Sequence, residues 1–186
     1  MEVYKYCDKD GVNILQFKAL KLSRIDEFND PFELRIATCA SPEVSKAAQA
    51  TYEHLKESYR IICFTTKDNN LIMWSHYSKN HTGLLIKFNA DLIVVNGKRI
   101  TSFLKNVDYK KEMIQIPYNF LDLPTNEQEE MIKSITYRKY DDWQYEDEYR
   151  AIVNCVNSEC KRYINLSPAA ILEVVLGMNC SLETEL

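Results

Sequence analysis

The chain has 186 residues, 46% hydrophobic and 27% charged, the balance of one soluble globular domain and not of a disordered segment. Against 27 acidic residues stand 23 basic ones, a net charge of -4 with no Lys/Arg tract, which excludes broad electrostatic capture of nucleic acid and leaves only a local basic groove open. No apolar run approaches the ~20 residues a bilayer span needs. The opening Met-Glu-Val-Tyr-Lys-Tyr has no basic leader, so a cytoplasmic protein with no membrane partner is expected.

Cysteines stand at 7, 39, 63, 155, 160 and 180 with no Cys-x-x-Cys pair, and several lie inside apolar runs. That pattern reads as free, buried thiols of a reducing compartment, with neither a disulfide framework nor zinc spacing. No metal is expected. The glycines are Gly11, Gly83, Gly97 and Gly177, so neither a Rossmann fingerprint nor a P-loop can be written. Any nucleotide has to be held in some other way.

In chain order, residues 3–6 read as a first strand and residues 13–21 as a helical turn leading into a strand at 20–22. Asn29-Asp-Pro31 marks a turn. Ser41-Pro42-Glu43 then opens a helix, with Val44, Ala47, Ala48, Leu55 and Tyr59 on one face. A strand at 60–65 and a short helix at 71–77 follow, then a strand at 84–88. Asn96-Gly97 between strand-like runs predicts a type I′ hairpin. A strand at 107–109 precedes Thr125-Asn-Glu-Gln128, which has capping-box spacing ahead of a helix through Ile135. Strands at 143–154, 160–166 and 171–176 complete the chain. Many short strands and three or so irregularly inserted helices imply an α+β single domain over 1–186. Its sheet is expected to be mainly antiparallel and rich in hairpins, in one piece or as two small sheets around a cleft.

Three clusters carry candidate chemistry. Read as a strand with period two, residues 143–154 put Trp143, Tyr145 and Tyr149 on one face and Glu146, Glu148 and Arg150 on the other. Two adjacent carboxylates are cheap in water and costly when desolvated together, so the pair faces either solvent or a reactive cleft. The solvent reading pairs Arg150 with Glu148 along an exposed sheet face. Phe28-Asn-Asp-Pro-Phe-Glu33 reads either as a structural turn or as a loop at the mouth of a site, with Asn29 and Asp30 as its binding groups. Met73-Trp-Ser-His-Tyr77 with His81 lacks the spacing of a helical zinc pair. Trp74 reads as packed beneath a site, or as a stacking wall beside Tyr77.

Taken in order, Tyr4-Lys-Tyr6, Phe28-Asn-Asp-Pro-Phe-Glu33, Cys63-Phe-Thr65, Met73-Trp-Ser-His-Tyr77, His81-Thr-Gly83, Ile86-Lys-Phe88, Val107-Asp-Tyr109, residues 143–150 and Val175-Leu-Gly177 resemble the bacterial family known as domain of unknown function 2971. Longer relatives in that family continue past the Leu-Gly step with another helix and strand, so the resemblance implies a closing element that residues 1–186 lack. In layout the chain also resembles the ADP-ribosyltransferase superfamily. Lys5 stands where those proteins have His or Arg, Ser23 takes the place of their strand Ser or Tyr, and Glu146-Asp-Glu148 their Glu-x-Glu.

The layout implies an NAD-dependent ADP-ribosyltransferase or NAD glycohydrolase, an effector of a bacterial toxin or phage-defence system. Glu148 and Glu146 would be catalytic. Lys5, Tyr6, Ser23, Asn29, Asp30, Trp74, His76 and Tyr77 would hold NAD. A protein or nucleic-acid acceptor and an antitoxin or defence partner would accompany it. Two other readings stay open: a non-catalytic module that binds a nucleotide or partner, and a metal-dependent nuclease using Asp30, Glu33, Glu146 and Glu148.

Overall fold

A near-continuous apolar run, Ile61-Ile-Cys-Phe64, bounded by a helix and a polar loop, makes β3 (Tyr59–Thr65) the central strand, buried almost throughout. In the computed structural model, which describes residues 1–9, 11–28, 30, 42–112, 114–155 and 161–181, the other elements assemble around it. In chain order they are β1 (Glu2–Cys7), α1 (Gly11–Phe17), β2 (Ala19–Lys21) and α2 (Pro42–Ser58) before β3. After it come α3 (Leu71–Tyr77), β4 (Leu84–Asn89), β5 (Val94–Val95), β6 (Lys98–Arg99), β7 (Leu104–Asn106) and β8 (Asp108–Lys110). Then follow α4 (Thr125–Thr136), β9 (Arg138–Tyr140), β10 (Glu148–Asn154), β11 (Tyr163–Asn165) and β12 (Ile171–Leu176). The protein is an α+β single domain of mainly antiparallel sheet, as the pattern predicts.

The main sheet runs β12-β4-β1-β3-β10-β7, every pairing antiparallel. Smaller pairs are β2/β11, β5/β6 and the parallel β8/β9. Period two sorts β3 between two cores. Ile62 and Phe64 join Val3, Ile86, Phe88, Ala151 and Val153 on one face. Tyr59 and Ile61 join Leu55 of α2 and Ile132 and Ile135 of α4 on the other. A third cluster, Tyr6, Met73, Trp74 and Leu85, seats α3 over β1 and β4.

The sheet is split at its centre. β1 pairs with β4 over six residues, and β3 pairs with β10 over seven, but β1 and β3 share only the Tyr4–Thr65 position. Beyond it β1 diverges. Ser23 takes over the abandoned edge of β3, exchanging both backbone hydrogen bonds with Ile61 at 2.8 Å. Between the two pairings, the Cys63 carbonyl accepts instead from Lys5 Nζ at 3.0 Å. An unpaired strand edge inside a protein has to be satisfied somewhere, and here three different partners satisfy it. The result is a wedge-shaped gap between β1 and β3.

Several local expectations are corrected. Residues 143–154 are not one strand: residues 141–146 form a 3₁₀ helix, Asp147 has φ 45° and ψ 53°, and β10 starts at Glu148. The capping box at Thr125 does not form. Pro124 is the N-cap, its carbonyl accepting from the backbone of Glu127 and Gln128, and the Gln128 side chain turns to the Leu121 and Leu123 carbonyls. The first helix lies earlier than 13–21, and the cap at Ser41 lies outside the described residues. Asn96 and Gly97 do take the positive φ of a type I′ turn, 49° and 74°, but each hairpin arm is only two residues long. Cys7, Cys63 and Cys180 are free thiols, whereas Cys155 is disulfide-bonded, contrary to the reading of free cysteines.

Candidate functional site

A cavity of about 150 Å³ occupies the wedge between β1 and β3. Tyr4, Lys5 and Tyr6 line it from β1, Cys63, Phe64 and Thr65 from β3, and Met73 and Tyr77 from α3. Ser23, Glu27, Phe28, Lys139, Glu146 and Glu148 complete it. Glu146 is 2% exposed and Glu148 6%, which decides between water and cleft. The pair is buried.

Strand periodicity does not bring the two carboxylates together. The left-handed turn at Asp147 does, a conformation that Asp and Asn adopt more readily than most residues. The turn is braced: Thr66 Oγ1 donates to the Asp147 carboxylate, Lys67 lies 3.6 Å from it, and Thr65 Oγ1 donates to the Glu146 carbonyl at 2.5 Å. Across the turn, Tyr109 Oη accepts from the Glu148 backbone N–H at 2.8 Å. Asn70 ties the facing elements together. Its side chain caps α3 by accepting from Ile72 and Met73, its amide donates to the Tyr145 carbonyl at 2.7 Å, and its backbone N–H donates to Tyr6 Oη at 3.0 Å.

Two cations face the pair in the interior. Arg150 is bidentate on Glu148, Nε to Oε1 at 2.9 Å and Nη2 to Oε2 at 2.8 Å, with Nη1 donating to the Thr136 carbonyl at 2.8 Å. Lys139 Nζ donates to Glu146 Oε2 at 2.6 Å and reaches Glu148 Oε2 at 3.4 Å. Tyr77 Oη donates to Glu146 Oε1 at 2.5 Å. Aromatic faces back both cations, Trp143 under Lys139 at 4.6 Å and Phe28 under Arg150 at 5.2 Å. The solvent-face reading therefore had the right partner, Arg150, in the wrong medium.

The two glutamates are not equivalent. Burial alone would raise the Glu148 carboxyl, but Arg150 and then Lys139 outweigh it and hold it down at about 2. Glu146 goes the other way: burial raises it, Lys139 opposes, and the neighbouring Glu148 charge pushes it further up. Glu146 is thus the member of the pair that takes up a proton first. Burial and the Glu146 charge also raise the Tyr77 hydroxyl far above its ordinary value, so it remains a donor. Burial keeps the Cys63 thiol protonated.

Of the residues singled out from sequence, Lys5, Tyr6, Ser23, Tyr77, Glu146 and Glu148 share this cavity. Trp74 and His76 do not line it. Trp74 packs edge-on against Tyr6 at 5.2 Å and stacks on His81 at 5.9 Å, beneath the site. His76 contacts the Tyr145 hydroxyl at 3.0 Å on the protein surface. Asp30 is buried outside the lining. Asn29 and Glu33 lie outside the described residues. Lys139, 5% exposed, was missed. Its only sequence signal is a lysine amid Tyr137-Arg-Lys-Tyr140, a run with no motif to mark it. Among the described residues no group of three or more His, Cys, Asp and Glu is placed to hold a metal ion.

A split antiparallel sheet with a charge-neutralised carboxylate pair in the split defines this α+β protein. Residues 73–151, from α3 to the middle of β10, match the family model described as Protein of unknown function (DUF2971), so over that stretch the chain is similar to that family, as the motif order implies. No curated protein and no solved structure matches the chain. The matched stretch contains Tyr77, Lys139, Glu146, Glu148 and Arg150, which carry the buried ionic network among the described residues.

Proposed function

We propose that the protein is a small NAD-consuming enzyme, an ADP-ribosyltransferase or NAD glycohydrolase, working in the cytoplasm as an effector of a toxin or phage-defence system. The observation that carries this reading is the meeting of Glu146 and Glu148 with Lys5, Ser23 and Tyr77 on one cavity in the sheet split. Cleaving the nicotinamide–ribose bond sends its electron pair out with nicotinamide and leaves positive charge on the sugar. Two carboxylates in a water-poor cleft stabilise that charge as it develops. Glu148, locked in its ionised form by Arg150, supplies the fixed negative potential. Glu146, with its raised proton affinity, accepts the proton that the attacking acceptor hydroxyl or water gives up. Lys5 meets the phosphate side, and Tyr77 orients Glu146. A cavity of this size holds only the reacting end of the substrate. Consumption of NAD harms the cell that makes the enzyme, which suits an effector restrained by a partner.

A second reading, a non-catalytic nucleotide-binding module, is favoured by one observation: both carboxylates already accept from protein donors. Incubation with NAD, with and without macromolecular acceptors, separates the two. Released nicotinamide that disappears in Glu146→Gln supports the enzyme. Thermal stabilisation by NAD with no product under any acceptor sinks it in favour of the module.

A further inference from the structure

A larger hollow, about 680 Å³, adjoins the small cavity and shares Lys5, Tyr6 and Tyr77 with it. Its volume falls within the roughly 300–1,000 Å³ of small-molecule sites. The β2/β11 ribbon builds one wall. Leu20 and Ile164 are register partners and point into the core, so their neighbours point out into the hollow. Lys21 faces Tyr163 across the ribbon, and Ala19, with almost no side chain, leaves the floor open.

The rims are unusual for a surface. Phe17, at the end of α1, is 67% exposed, and Tyr163 is 55% exposed, both lining the hollow. Large rings left in water beside a concavity mark a ligand site more often than scattered surface residues do. The cations on the wall are Lys5 and Lys21, against one carboxylate, Asp8. Lys21 also reaches Glu27 at 3.2 Å, while Lys5 spends one of its three donors on the Cys63 carbonyl.

We propose that this hollow binds a purine nucleoside 5′-diphosphate moiety. The base stacks on Phe17 and Tyr163, and the phosphates lie against Lys21 and Lys5. Lys5 then stands at the junction, so a dinucleotide reaches from the hollow into the carboxylate cleft. The assignment of the reacting end rests on the proposed function; binding of the diphosphate half does not. Stacking and two point charges need no glycine-rich loop, which this chain lacks.

ADP is the probe. Calorimetric titration of the wild-type chain is expected to show saturable binding, weakened about tenfold or more by Phe17→Ala and by Tyr163→Ala. Lys21→Gln should weaken it about fivefold and reduce its salt dependence. Both rings are exposed, so these variants keep the fold, which circular dichroism checks. Lys98→Gln, on the β5/β6 hairpin, should bind as wild type does. ADP binding lost in the ring variants with no nicotinamide released from NAD upholds the hollow and removes the catalytic reading. NAD turnover with KM unchanged in both ring variants overturns the hollow and leaves catalysis standing. Absence of binding at millimolar ADP, or equal weakening by Lys98→Gln, overturns it as well.

Discussion

Lys5 Nζ donates to the Cys63 carbonyl at 3.0 Å, across the gap where β1 leaves β3. A side-chain ammonium there replaces a backbone N–H of the missing strand pairing, and it puts a positive charge at the meeting point of two hollows. Lys5→Met should therefore cost stability, by about 1–3 kcal/mol for a carbonyl left without its donor. It should also abolish nucleotide binding. Urea denaturation beside an NAD titration checks both, and a Lys5→Met protein that binds NAD normally would discard the role given to this residue.

The buried charges form one network, so removing a cation should be far worse than neutralising the raised acid. Arg150→Ala leaves Glu148 ionised without its bidentate partner and is expected to cost about 3–5 kcal/mol. Lys139→Met should fall in the same range, because both carboxylates lose it. Glu146→Gln keeps one oxygen to accept from Lys139, while its amide can donate to a reoriented Tyr77 hydroxyl, and should cost much less. Chemical denaturation of the three variants should rank them in that order, and a Glu146→Gln variant as unstable as Arg150→Ala would contradict the unequal roles.

Acid should unfold the protein through Glu148. Its folded pKa, held down at about 2, lies below the value in the unfolded chain. Its contribution is thus present above the unfolded value near ~4.3 and lost as pH falls toward ~2, on the order of 3 kcal/mol across that window. Glu146 has the opposite sign: its folded value is raised, so its contribution is full at low pH and fades as pH rises through that value. Unfolding free energies against pH should show a loss below ~4.3 in wild type that is flattened in Glu148→Gln. If Glu148→Gln loses stability in acid as steeply as wild type, Glu148 is not the source.

The glycines near α3 and β12 should tolerate nothing larger. A Cβ at Gly177 would sit 2.2 Å from the His81 carbonyl oxygen, and one at Gly83 2.0 Å from that of Cys7. These are backbone atoms, so Gly83→Ala and Gly177→Ala should each lower Tm by many degrees. Gly97→Ala meets no atom within 4 Å and suffers only its φ of 74°, at about 1–2 kcal/mol. Thermal scans should separate the first two from the third; a mild Gly177→Ala would mean β12 can move away from His81.

Much of the layout was legible. The strand at 60–65, the Asn-Gly turn, α3 and the antiparallel α+β class all follow from composition, spacing and turn chemistry, which act over a few residues. The acidic pair was legible as a pair, but its geometry was not. Period two placed Glu146 and Glu148 on one strand face, whereas the chain reaches the same convergence through a 3₁₀ helix and one left-handed aspartate. Asp147 takes that conformation because Thr66 and Lys67, some 80 positions away, hold its carboxylate. No local signal encodes such a brace.

What the residue order settles alone is the class of the domain, the order of its strands along the chain and the presence of two neighbouring acids. These depend on side-chain size, polarity and spacing, which are local quantities. Whether those acids meet water or the interior was decided by tertiary structure: β1 peels from β3 after one shared position, and Lys139 and Arg150 arrive from β9 and β10 to neutralise the gap. Desolvated like charges persist only where opposite charges are brought to them through space, and that is a property of the folded whole.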